Sequence, residues 1–187
     1  MVDDRELIRE YLQGLSELIN AFPLETFAKI LNVLRKARQE DSYIFIFGNG
    51  GSAATASHMT CDLDKTTKQP GKPRFKAISL NDNIPLLSAY ANDEGYDNVF
   101  SEQIITLGRP GDIVIAISGS GNSPNVLKAI QTASNLNITT IGITGFSGGK
   151  LKDLVDICLI VPSDRMEMIE DMHMVVDHLM SITLRIQ

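Results

Sequence analysis

Five short apolar runs recur along the chain: YIFIF (43–47), FKAISL (75–80), DIVIAIS (112–118), TTIGIT (139–144) and ICLIV (157–161). Helical stretches separate most of them. Runs this short, rich in Ile, Val and Phe, read as strands covered on both faces. Strands joined by helical crossovers pair in parallel, because a parallel connection needs a dozen or more residues and a helix supplies them. The expected fold class is α/β: a three-layer α-β-α sandwich around a five-stranded, doubly wound parallel sheet.

Residues 3 to 39 precede the first run and predict a pair of helices. LIREYLQGLSELI and FAKILNVLRKA both carry apolar residues at spacings of three and four, and Pro23 stands where the second helix can start. A long helix free of Pro and Gly is expected from about Arg165 to Ile186, and KTTKQPGKPR (65–74) is the most loop-like segment, an exposed connection that could border a site. No repeat, linker or low-complexity tract interrupts the chain, so one domain over residues 1–187 is expected, with residues 1–40 reserved for oligomer contacts.

Composition narrows the function classes. No apolar run approaches the roughly 20 residues that span a bilayer, and the opening MVDDRELIREYL has neither the basic cap nor the apolar core of a secretory signal, so a cytoplasmic location without membrane contact is expected. The net charge is −6, with Lys and Arg scattered away from aromatic residues, which argues against a nucleic-acid surface. Cys61 and Cys158 form no CxxC pair and read as small buried hydrophobes.

Two of the strands run into unusual turns. GNGGS (48–52) follows the first strand, and SGSGNS (118–123) follows the third and precedes the helix PNVLKAIQTA. Glycines let a backbone approach an anion closely, and the helix starts behind them present unpaired amides. Ser52, Ser118, Ser120 and Ser123 add hydroxyl donors for phosphate oxygens. The nucleotide P-loop pattern GxxxxGK[ST] is absent, and Lys128 lies too far along its helix to replace its lysine. GNGGSA matches a loose dinucleotide turn, but the acidic residue for the ribose is missing at the required distance, Asp82 coming too late. Plain tight turns with serine N-caps are the structural alternative. Two such turns at equivalent points of one sheet favour an anion site.

The three histidines, His58, His173 and His178, fall on two helical segments. His58 and Asp62 are four apart and share a face of the helix leaving the first turn, whereas Asp64 is turned away. In EDMHMVVDH, Glu170 and His173 are three apart, while Glu170 and His178 are offset by roughly 80°, so helical geometry prefers His173 as the partner of Glu170. Imidazole with carboxylate suits a divalent metal and suits proton transfer equally.

These motifs together resemble the sugar-isomerase (SIS) domain family, and within it the phosphoheptose isomerases. The likeness runs almost end to end, through GNGGS and the His58 helix, AISL, YANDEGYDNVFSEQI, LGRPGDIVIAISGSGNSPNVLKAI, TGFSGGKL and EDMHMVVDH. It implies a flavodoxin-like strand arrangement, a homotetramer and a sugar-phosphate substrate. It also implies that Asn49, Gly50, Gly51, Ser52, Asn92, Asp93, Ser118, Gly119, Ser120, Ser123 and Glu170 bind substrate. His58, Asp62, Glu170 and His178 are implied as ligands of one zinc ion per subunit, with Asp62 and His178 catalytic; here the resemblance chooses His178 over His173. Three positions depart from the family pattern: Asp62 for a glutamate, Glu170 for a glutamine and Gly119 for a threonine.

The implied activity is aldose–ketose isomerisation of D-sedoheptulose 7-phosphate to D-glycero-D-manno-heptose 7-phosphate through a cis-enediol, with Asp62 as base and His178 as acid. The alternatives are isomerisation of another sugar phosphate, or a non-catalytic SIS-domain binding role in replication initiation. Retention of ionisable groups at both positions favours the enzyme.

Overall fold

A computed structural model describes residues 3–186. Helices α1 (Asp4–Asn20) and α2 (Leu24–Glu40) precede the first strand, and the remaining order is β1 (Tyr43–Gly48), α3 (Gly51–Cys61), β2 (Lys76–Ser79), α4 (Ile84–Asp93), α5 (Ser101–Leu107), β3 (Ile113–Ser118), α6 (Pro124–Asn135), β4 (Thr139–Thr144), β5 (Ile157–Ile160) and α7 (Met166–Ile186). All strand pairs are parallel, in the order β2-β1-β3-β4-β5. This is the expected doubly wound arrangement, with strand order reversing between β1 and β3.

The alternation of side chains along each strand divides the core in two. Ile44, Ile46, Ile113, Ile115, Ile117, Ile141 and Ile143 face one layer, where they pack with α1, α2, α3 and α7 residues such as Leu34, Met59, Ile169 and Val176. Phe45, Phe47, Val114 and Ala116 face the other layer, with Phe100 and Ile104 of α5 and Val126 and Ile130 of α6. The helix after β1 therefore covers the opposite face from the helix after β3.

Helix starts and stops follow the local chemistry. Asp3 caps α1 by accepting from the amide of Arg5, Pro23 sits at the N-cap of α2, and Asp41 ends α2 in the left-handed conformation. After Cys61, α3 widens into a π-helical turn over Asp62–Thr66. Such turns displace side chains from regular helical positions and recur at functional sites.

Two sequence expectations need correction. Cys61 is exposed and Cys158 only half-buried, because Cys61 falls on the outward side of α3 and Cys158 on the edge strand β5. The KTTKQPGKPR segment connects the end of α3 to β2: its Thr66 borders Asp62, whereas its far end, where Arg38 donates from Nε to the carbonyl of Pro73 at 2.7 Å, lies at the end of the sheet away from both Gly/Ser turns. His173, favoured by helical spacing, is 1% exposed on the stripe of α7 that covers the sheet.

Neither His173 ring nitrogen has a hydrogen-bond partner of good geometry. Burial lowers its pKa to about 4, with the Thr144 backbone opposing only weakly. The folded state thus binds fewer protons here than the unfolded chain, whose histidine titrates near 6.5. The neutral imidazole contributes its full stabilisation above about 6.5 and loses it as pH falls towards about 4. His173→Leu is expected to remove this dependence: measured by thermal melts from pH 7 to 4, its stability relative to wild type shifts in its favour by on the order of 2–3 kcal/mol.

Candidate functional site

The register Gly48↔Ile117 brings the ends of β1 and β3 side by side, so the two Gly/Ser turns leave the sheet as neighbours. They close on a cleft of about 270 Å³ lined by Asn49, Gly50, Gly51 and Ser52 from one turn, by Ser118, Gly119, Ser120 and Ser123 from the other, and by Met166 and Glu170 of α7. No Lys or Arg lines it. Glycine is required at two points. A Cβ at Gly48 would lie 2.6 Å from the carbonyl oxygen of Ile117, and Gly50 adopts φ +55° to turn the chain into α3.

Amide side chains fasten the turns. Asn49 and Asn125 exchange side-chain hydrogen bonds at 2.9 Å in both directions, with the Tyr96 hydroxyl also donating to Asn49 Oδ1 at 3.0 Å. Asn81 clamps Gly48 by accepting from its amide and donating to its carbonyl. Asn49 thereby joins the first turn to α6 rather than pointing free. Ser123, at the N-cap position of α6, makes no capping bond, and its hydroxyl lies 3.5 Å from that of Ser118. Both hydroxyls are left available to a ligand.

Gly119 and Glu170 meet α7 and the first turn, respectively, at this cleft. A Cβ on Gly119 would lie 2.5 Å from Met166 Sδ, so the thioether occupies space that a larger residue at 119 would need. Glu170 faces Gly51, whose Cβ would come within 2.8 Å of Glu170 Oε1. Asn92 and Asp93 are not brought to the cleft. They lie exposed at the end of α4, with Asn92 donating to Asp93 Oδ1 at 2.7 Å.

A second cluster lies further along α3 and α7. His58, Asp62, Asp177 and His178 each offer a donor atom, all within 4.8 Å of one another. His58 Nε2 is 3.9 Å from Asp62 Oδ2 and 3.8 Å from Asp177 Oδ2, and the His58 and His178 rings meet edge-on with centroids 5.4 Å apart. Thr66, at the end of the π turn, donates to Asp62 Oδ1 at 2.9 Å and leaves Oδ2 facing His58. Asp177 is 1% exposed and neither of its oxygens accepts a hydrogen bond. Burial first, then the nearby Asp62 carboxylate, raise its pKa to about 7, with His58 opposing.

The donor set fits a divalent cation. Two imidazoles and two carboxylates are ordinary ligands for zinc and similar metals, and a buried carboxylate without partners needs a counter-charge. Glu170, expected among the ligands, is not one of these four; it stands two turns N-terminal to His178 and lines the cleft instead. Asp177 is the fourth member of the cluster. Spacing along one helix could not find it, since adjacent residues point about 100° apart and only the packing of α7 on α3 turns both inward. Asp64, read as facing away, does so: its Oδ1 accepts from the amide of Ala77. Met166, Asn81 and Asn125 were equally invisible as site-shaping residues, because each acts through contacts made only across the fold.

Comparison with known proteins identifies the family. Residues 10–145 match the SIS domain family model. The phosphoheptose isomerase of Helicobacter pylori is 40% identical over 176 residues, covering 94% of this chain and 87% of its own. Among solved structures, phosphoheptose isomerase from Neisseria gonorrhoeae superposes with a TM-score of 0.89 at 30% identity, covering 96% of this chain and 97% of its own. The Francisella tularensis phosphoheptose isomerase gives 0.90 at 28% identity, with both chains covered in full. The chain belongs to the SIS domain family.

Proposed function

We infer that this chain is an aldose–ketose isomerase acting on a sugar phosphate, D-sedoheptulose 7-phosphate being converted to D-glycero-D-manno-heptose 7-phosphate. The observation that carries this reading is the pairing of a serine-lined cleft without cationic residues and an imidazole–carboxylate cluster on the two helices that leave it. Phosphoheptose isomerase is also the name borne by relatives aligned over nearly the whole chain.

The phosphoryl group is held by hydroxyls of Ser52, Ser118, Ser120 and Ser123 and by amides at the start of α3, as charge-assisted hydrogen bonds. Both helices then run away from the cleft. At 1.5 Å per residue, His58 lies roughly 10 Å beyond Gly51, and His178 roughly 12 Å beyond Glu170. An extended open-chain sugar anchored by its terminal phosphate therefore points C1 and C2 along the helices towards the cluster, and Glu170 is placed to receive hydroxyls near the cleft.

Asp62 is the general base, with Oδ2 free while Thr66 holds Oδ1. It takes the carbon-bound proton, and His178 protonates the neighbouring carbonyl oxygen, giving a cis-enediol that is reprotonated on the other carbon. His58, Asp62 and His178 are residues that would hold a zinc ion. When bound, such an ion polarises substrate oxygens and stabilises negative charge on them. A different sugar phosphate is the second reading, favoured by Met166 over Gly119 and by the carboxylate of Glu170 in the cleft.

A homotetramer fits the exposed apolar residues Leu7, Ile8, Leu12 and Ile19 of α1 and Leu179 and Ile182 of α7. Among the described residues no helix is long and apolar enough to cross a membrane. We place the enzyme in the cytoplasm, with no nucleic-acid partner.

Incubation with pentose, hexose and heptose phosphates is expected to give turnover with sedoheptulose 7-phosphate; conversion of a different member alone reassigns the substrate, and no conversion of any sinks the enzymatic reading. Asp62→Asn and His178→Ala are each expected to lower kcat by about 10²–10⁴-fold. Ser123→Ala removes a phosphate donor without taking a capping bond from α6. Steady-state kinetics should show KM raised about 10–100-fold with kcat nearly unchanged. Sedimentation of the purified protein is expected to give a tetramer, and a monomer at micromolar concentration contradicts it.

A further inference from the structure

We propose that Asp177 is a metal ligand of this chain, completing a His58, Asp62, Asp177 and His178 site within one subunit, and that Glu170 is left free to face substrate. The proposal rests on the isomerase reading for the choice of cluster, and adds which carboxylate holds the cation.

Two independent observations carry it. Geometry is the first: the four donor atoms lie within 4.8 Å of one another, while Glu170 lies at the cleft against Gly51. For tetrahedral bonds of about 2.0–2.1 Å, ligand atoms sit roughly 3.3 Å apart. The His58–Asp62 and His58–Asp177 separations of 3.9 and 3.8 Å are already close to that spacing. The second is the state of Asp177 itself. Its carboxylate is 1% exposed, points into the cluster, and has no hydrogen-bond donor on either oxygen. Buried carboxylates are normally paired or coordinate a metal. Among the described residues, the only basic side chain within ion-pair distance of Asp177 is His58, whose Nε2 is itself one of the candidate donors.

The arrangement differs in kind from one built on Glu170. Asp177 closes the cluster from below, against the packed interior of α7, while His58 remains 49% exposed on the open side. The cation would then sit on a floor of protein with its accessible side towards incoming sugar. Glu170, two turns away, keeps its carboxylate for the substrate in the cleft.

The test measures metal binding directly on the full-length protein. Wild type, Asp177→Asn, Glu170→Gln and His58→Ala are stripped with chelator, titrated with Zn²⁺ against a competing indicator, and melted with and without the metal. Wild type and Glu170→Gln are expected to bind alike, and Asp177→Asn to bind at least about 100-fold more weakly, as His58→Ala does, since even outer-shell partners contribute 10–100-fold. Metal-free Asp177→Asn should melt at or above the temperature of metal-free wild type, because a buried unpaired charge has gone, while its gain in Tm on adding Zn²⁺ falls. A carboxylate with a purely structural role predicts the reverse: a lower metal-free Tm and unchanged zinc affinity. If Glu170→Gln loses affinity and Asp177→Asn keeps it, the proposal is overturned. Wild type that binds Zn²⁺ in this pattern yet isomerises no sugar phosphate leaves the ligand assignment standing and removes the isomerase reading. Wild type that turns over without binding metal does the opposite.

Discussion

The parallel pairing of β1 with β3 is the constraint on which the rest of the structure depends. Their register sets Gly48 opposite Ile117, so two turns that are some 70 residues apart in sequence begin within a few ångströms of one another. Strand order reverses between them, and α3 and α6 leave for opposite faces of the sheet. The diverging helices open a crevice that neither strand alone would have. Gly48 permits the approach, because any side chain there would meet the Ile117 carbonyl, and the Asn81 clamp and the Asn49–Asn125 pair fix the turns once they are close.

The same departure sends α3 across the face already occupied by α7, which brings His58 and Asp62 to Asp177 and His178. Cleft and cluster are thus two consequences of one topology. The cleft presents backbone and hydroxyl groups at the strand ends, where turns begin. The cluster uses side chains two turns into the helices, where α3 and α7 touch. A ligand that touched both would have to be elongated.

Much of the fold could be read in the residues because its strands are buried on both faces. Unbroken runs such as IVIAI have few other uses, and glycine with serine at the ends of two of them points to the same edge of a sheet. The helix pair and the long last helix were equally legible, since both carry clear apolar periodicity. The site was legible only in part. Asn49, Ser118 and Ser123 follow from the turns, and His58 with Asp62 from four-residue spacing. The spacing argument for His173 on α7 did not carry over, because a single helix has no inside until it is packed. Spacing favoured Glu170 with His173; in the fold His173 lies under the sheet-facing stripe, Glu170 reaches the cleft, and Asp177 turns towards α3. Cys61 and Cys158 failed as buried hydrophobes for a related reason. Composition gives the average habit of a residue, whereas an outward helix position or an edge strand decides the case.

Helix α7 carries two buried ionisable groups, and their surroundings give them different tasks. His173 lies in an apolar layer with no partner for a charged ring, so it stays neutral and serves as packing. Asp177, four residues on, is just as buried but opens onto three groups able to share a cation. Asp62 differs again: it is partly exposed, one oxygen is fixed by Thr66, and the other remains open. Of the two cluster carboxylates, Asp62 is the one that reaches the surface, 16% exposed against 1% for Asp177. Burial fixes one carboxylate of the cluster, while a single hydrogen bond from Thr66 orients the other and leaves its Oδ2 turned towards His58.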